Sequence, residues 1–153
     1  MNNPQGEFTC KYNSRKNLLV SDVKISMPLT PDGSMGNINW RTYKAIWDTS
    51  AQCSVITKKV VVDLHLKSIG IMLIHGVTGI AYQRSYIITI SINEGIIFPT
   101  LTGIPSCRKL PSGYDILLGM DIIQWGDFAV TNFEDKTVFS FRVPSQECID
   151  FTL

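Results

Sequence analysis

The sequence predicts a mainly β domain, closed or barrel-like, with one or two short helices. Three observations lead there. Short apolar runs with period-two alternation recur along the chain, as in "VSDVKIS" and "TVFSFRV". Turn-forming clusters such as "TPDGSMGN", "SCRKLPSG" and "NFEDK" separate them. Helical spacing surfaces only briefly, so the strand–helix rhythm of a parallel α/β sheet is missing. The chain of 153 residues has room for one domain with a real core and not for two large ones.

Element by element, the chain reads as strands with few interruptions. Residues 1–16 are polar and read as a flexible N-terminal segment, with the domain spanning 17–147 and a tail at 148–153. "NLLVSDVKISMPL" sets Val23 and Ile25 against Asp22 and Lys24, the alternation of a strand. "INWRTYKAIWD" is a strand ending at Asp48, and "CSVITKK" is a second short β run. In "TKKVVVDLHLKSIG", Val61, Leu64 and Ser68 step at helical spacing and Gly70 stands where a helix would stop. "IMLIHGVTGIAYQRSYIITISI" forms a hairpin with Gly76 and Gly79 near its tip. "IIFPTLTGIP" and "YDILLG" are strands, "MDIIQWG" has room for one or two helical turns, and "DFAVTNFEDKTVFSFRVP" is a closing hairpin.

Composition narrows the function classes. Net charge is +1 with both signs scattered, so no basic block stands ready to neutralise phosphates, and nucleic acid is not an expected partner. No apolar run reaches membrane-spanning length, and the polar start "MNNPQGEFTCKYNSRK" is unlike a secretory signal. These features predict a cytoplasmic chain with no membrane partner. Its four cysteines (Cys10, Cys53, Cys107 and Cys148) are far apart and are expected as reduced thiols. The two histidines, His65 and His75, fall in no zinc spacing, and neither a metal nor a cofactor is expected.

The chemistry concentrates in "AIWDTSAQCSVI". An aspartate that closes an apolar strand is costly unless its surroundings use it. Thr49 offers a hydroxyl, and the small Ser50 and Ala51 let backbone N–H groups approach the carboxylate. Asp-Thr-Ser between two strands is equally a good Asx-turn. Trp40, Trp47 and Trp125 are candidates for a groove lining, although tryptophans at strand ends more often belong to a core.

Asp48-Thr49-Ser50-Ala51, with "AIW" before it and "QCSVI" after it, resembles the D-T/S-G-A signature of aspartic proteases. Downstream, "YDILLGMDII" looks like that family's second element, two apolar residues and a glycine leading into a short helix. The hairpin with Gly76 and Gly79 lies between them, where the family has its flap. The resemblance covers roughly residues 18 to 145, in the same element order, and is closest to the single-domain retropepsin-like branch, including bacterial members. One position departs: the family usually has glycine where Ser50 stands.

The resemblance implies a retropepsin-like closed β-barrel and a peptide hydrolase working through two aspartates. Only one signature is present; "TPDGSM", Asp115 and Asp121 lack the pattern. One signature in one domain implies a homodimer in which each subunit contributes Asp48. Two carboxylates in one site share a proton, one activating water and the other polarising the peptide carbonyl. Thr49 would brace the two loops, with Ser50 and Ala51 beside the substrate. His75, Gly76, Val77, Thr78 and Gly79 would form a flap over an extended peptide. Leu117, Leu118 and Gly119 would be scaffold. The alternative is a non-catalytic peptide-binding or dimerisation module on the same fold, consistent with Ser50 in place of glycine.

Overall fold

Alternating apolar residues over most of the chain do build strands, and the strands close on themselves. The computed structural model describes residues 3–28, 39–76, 79–111 and 113–152. Six strands form the barrel: β2 (Leu19–Ser26), β3 (Arg41–Trp47), β4 (Val55–Thr57), β6 (Gly79–Ile92), β7 (Ile96–Cys107) and β8 (Ile116–Leu118). They are hydrogen-bonded in the order β2-β3-β8-β4-β7-β6, and β6 returns to β2 through the antiparallel pairs Val23↔Ile92 to Ser26↔Thr89. Closure leaves these strands without a free edge. Ile25, Ile56, Ile88, Ile90, Ile92, Ile116 and Leu118 are fully buried and supply much of the core.

The predicted flap hairpin stands outside the ring. Among the described residues, strand β5 (Gly70–Gly76) pairs only with β6, from Gly70↔Ser85 to Gly76↔Gly79. Gly79 has φ +124, a backbone region that favours glycine, so a Cβ at this end of the turn would be strained. The "TPDGSMGN" connection and the tip residues Val77 and Thr78 lie outside the described residues.

A second sheet, in the order β1-β10-β9, packs on the barrel. Its strands are β1 (Gly6–Lys11), β9 (Asp127–Thr131) and β10 (Val138–Val143), with a 3-10 turn at Phe133–Asp135 joining the last two. Aromatic rings join the sheet to the barrel around Trp47. Its ring lies 4.9 Å from that of Phe141 and stacks on Phe128 at 5.5 Å, while its Nε1 donates to Ser21 Oγ at 2.9 Å. Trp47 is therefore core, whereas Trp125 is about half exposed, with its ring edge-on to Phe98.

Three sequence expectations need correction. The segment 1–16 contains β1, which pairs with β10 in register from Gly6↔Val143 to Lys11↔Val138 and buries Phe8. Its order comes from a partner some 130 residues away, which local polarity does not reveal. The helix predicted up to Gly70 is only α1 (Lys58–Asp63): His65 takes φ 50 and ends it, and Gly70 instead starts β5. Strand β7 runs on through Ser106 and Cys107, residues expected in a loop, because β4 pairs with them in parallel.

Past β10 the chain is clasped to β9. Asp127 accepts from Gln146 N at 2.9 Å, from Ser145 Oγ and from Arg142 Nε at 2.7 Å. These donors, the Gln146 N–H foremost, hold the Asp127 carboxyl well below the ordinary carboxylate range. A carboxyl depressed on folding contributes stability above its unfolded value and loses it as pH falls through the folded one. Asp127→Asn is therefore expected to lower the melting temperature most at neutral pH. The gap from wild type should start to shrink below about pH 4, which melting curves across an acid series would read.

Candidate active site

Strand β3 is buried at Ala45, Ile46 and Trp47 and delivers Asp48 to its end, half-buried. The three residues of β8 are wedged between the strands that flank the Asp48 loop. They pair with β3 in parallel (Ala45↔Ile116, Ile46↔Leu117, Trp47↔Leu118) and with β4 in antiparallel (Val55↔Leu117, Ile56↔Ile116). The loop 48–54 thus crosses over the end of β8 and is stitched to the start of the short helix α2 (Met120–Ile123). Asp48 N donates to Leu118 O at 3.0 Å, Met120 N to Ala51 O at 2.8 Å and Asp121 N to Gln52 O at 3.2 Å. Gly119 is buried against this loop, where a Cβ would come 2.7 Å from Cys53 C and 2.8 Å from Ala51 O.

Within the loop the carboxylate is held on one side. Ser50 N donates to Asp48 Oδ1 at 2.9 Å and Ser50 Oγ to the same oxygen at 2.6 Å. The first bond is the Asx-turn, so the turn and the fixed carboxylate are one arrangement. Ser50 is not among the described residues with left-handed backbone, so its Cβ is carried without strain where the family usually has glycine. Thr49 is exposed and Ala51 half-buried beside it.

Two further residues complete this assembly: Ser54, which the sequence does not single out, and Asp121, which it offers only as a second aspartate without the signature. Ser54 is buried; its N and Oγ donate to the two oxygens of Asp121 at 2.9 and 2.7 Å, and its Oγ accepts from Gly119 N at 3.0 Å. Asp121 sits in the first turn of α2, where a carboxylate satisfies donors and suits the helix dipole. The available signal was a serine inside the apolar run "CSVI" and an acid two residues after Gly119. Ser54→Ala strips both groups of a buried partner and is expected to cost about 1–3 kcal/mol in urea unfolding.

The other aspartates near β8 are occupied. Asp121 is held by Ser54. Asp115 takes a hydrogen bond from Thr57 Oγ1 at 3.0 Å and an ion pair with Lys59 at 3.5 Å. Cys53, on the same loop as Asp48, has its thiol pushed up by burial and then by the Asp121 charge, the opposite of an activated nucleophile. Burial likewise raises Cys10 and Cys107.

The structure thus brings Asp48, Thr49, Ser50 and Ala51 together with Leu117, Leu118 and Gly119. It does not join His75, Gly76 and Gly79 to them: among the described residues no hydrogen bond links the hairpin to the Asp48 loop. The hairpin exposes Ile71, Leu73, Ile80 and Tyr82, and the cross-strand pair Leu73↔Tyr82 places the middle of this patch on one face. An open groove of about 510 Å³ lies elsewhere, over β1, β9 and β10, and none of these residues lines it. No described helix is long and apolar enough to cross a membrane.

No family model matches the sequence, and no curated protein matches it. Solved structures do. A retropepsin-like aspartic protease from Rickettsia conorii superposes with a TM-score of 0.52 at 12% identity, covering 91% of this chain and 95% of that one. The protease of simian foamy virus (mac) gives 0.42 at 20% identity over 70% of this chain and 93% of that one, too low a score to argue from. The closed six-stranded barrel, the two short helices and the near-complete overlap with the Rickettsia structure agree: the chain has the retropepsin-like fold.

Proposed function

We propose that this protein is an aspartic endopeptidase active as a homodimer, with Asp48 of each subunit forming the catalytic pair. The observation that carries the reading is the Asp48 loop. A carboxylate at the end of a buried barrel strand is fixed through one oxygen, on a loop stitched to β8 and α2. The dimer rests on the single signature in one domain. Among the described residues Asp115 and Asp121, which flank β8, are engaged in structural bonds, so the second aspartate is assigned to a second copy.

Between two Asp48 carboxyls one proton is shared. The ionised one takes a proton from water as the water oxygen bonds to the peptide carbonyl carbon. The protonated one gives its proton to the carbonyl oxygen. The tetrahedral diol then collapses: the carboxyl that took the water proton gives it to the amine nitrogen, the C–N bond breaks, and the other carboxylate takes a proton back from a diol hydroxyl, so acid and amine leave with one proton again shared by the pair. Thr49 braces the loops and Ala51 lies beside the substrate backbone. The β5–β6 hairpin, with His75, Gly76 and Gly79 toward its tip, closes over an extended peptide, and its exposed Ile71, Leu73, Ile80 and Tyr82 support that role.

The test is incubation of purified protein with a broad peptide mixture between about pH 4 and 7, with Asp48→Asn beside it, counting new peptide ends. Cleavage by wild type alone is expected. Silence from wild type in dimeric form would leave the fold as a peptide-binding or dimerisation module.

A further inference from the structure

The two oxygens of Asp48 are not equivalent. Oδ1 accepts both the N–H and the hydroxyl of Ser50, at 2.9 and 2.6 Å, whereas Oδ2 accepts no hydrogen bond among the described residues. A glycine at this position would supply the N–H and no hydroxyl. The Asx-turn is complete with the N–H alone, and Ser50 is exposed, so the hydroxyl bond adds little to the fold. What it changes is the lone-pair inventory of the carboxylate. A carboxylate oxygen already receiving two donors is a poor place for a proton, and the bare oxygen is the better one.

We propose that Ser50 is a positioning residue for peptide hydrolysis: its hydroxyl reserves Oδ1 of Asp48 as an acceptor, so the proton that this carboxyl takes and gives during the reaction sits on Oδ2. This rests on Asp48 being the catalytic carboxylate. Proton transfer needs donor and acceptor held in one geometry, and a short bond from a neighbouring hydroxyl removes the carboxylate's freedom to turn. The binding of substrate does not depend on that bond, so its loss should fall on turnover.

The experiment compares wild type with Ser50→Ala, Ser50→Gly and Ser50→Thr on a single peptide chosen from the cleaved mixture, reading kcat and KM separately. Ser50→Ala and Ser50→Gly keep the N–H and lose the hydroxyl. Both are expected to lower kcat about tenfold with KM within about twofold, while Ser50→Thr, which restores a hydroxyl, returns to within about threefold of wild type. A purely structural role would not be rescued by threonine in this split manner. Unchanged kcat in both hydroxyl-free variants overturns the inference and leaves the protease reading standing. A raised KM at constant kcat overturns it in favour of a substrate contact, and a threonine variant as slow as alanine overturns it in favour of loop shape. Wild type that cleaves nothing fails the protease reading first, and this inference with it.

Discussion

Asp48→Asn is expected to lower peptide cleavage by about a thousandfold or more while leaving the fold intact. Asparagine is isosteric and keeps an oxygen that accepts from Ser50 N and Oγ, so the loop geometry survives and only the ionisable group is lost. Mixing carries the sharper information. If both aspartates of a pair are needed, a mixed dimer is dead, and activity scales as the square of the wild-type fraction. An equal mixture, allowed to exchange subunits, should retain about a quarter of the wild-type rate per total protein. Retention of a half would mean that each subunit carries its own complete site, and the dimeric reading would fall. The measurement is an initial rate across mixing ratios, with sedimentation confirming that the dimer persists.

Gly119→Ala is expected to be the most damaging small change near the site. Its φ is −100, a region open to alanine, so the objection is space and not backbone strain. The new Cβ would stand 2.7 Å from Cys53 C and 2.8 Å from both Ala51 O and Cys53 O, all backbone atoms that cannot swing aside. Room can come only from parting the Asp48 loop from α2. That movement breaks the bonds Met120 N to Ala51 O and Gly119 N to Ser54 Oγ. Overpacking against backbone should cost about 3 kcal/mol or more in denaturant unfolding. Whatever folds should also lose cleavage, because the same displacement moves Asp48. A variant of wild-type stability would show that the loop and helix are not locked together as described.

The barrel is legible in the sequence where strands announce themselves locally. Val23 and Ile25 against Asp22 and Lys24 place β2, and the apolar run up to Trp47 places Asp48 at a strand end. The resemblance around Asp48 and Leu117–Gly119 then locates the loop and the segment it rests on, since short motifs survive when overall identity is low. The parts that stay hidden are those decided at long range. Strand β1 exists because β10 pairs with it, and no property of "GEFTCK" alone says so. Ser54 and Asp121 look like a lone serine and a lone acid until folding sets them 2.7 Å apart. The end of α1 escapes because His65 adopts a left-handed conformation, which a pattern of valines and leucines does not encode. The role of Ser50 is open in the sequence for a related reason: a small polar residue beside an aspartate reads the same whether or not its hydroxyl turns inward.

The pairing of β1 with β10 bears on when during synthesis the fold around Asp48 can be completed. A ribosome that has reached residue 120 has already joined Asp48, the hairpin and all of β8 into the chain. Yet it has not made β9 or β10, whose Phe128, Phe139 and Phe141 pack on Trp47, the residue before Asp48. Such a nascent chain holds the Asp48 motif without the aromatic packing on Trp47, and β1 still waits for β10, its one strand partner among the described residues. Completion of β10 therefore precedes a settled Asp48 loop, and the last strands to leave the ribosome are the ones that finish the packing beneath it.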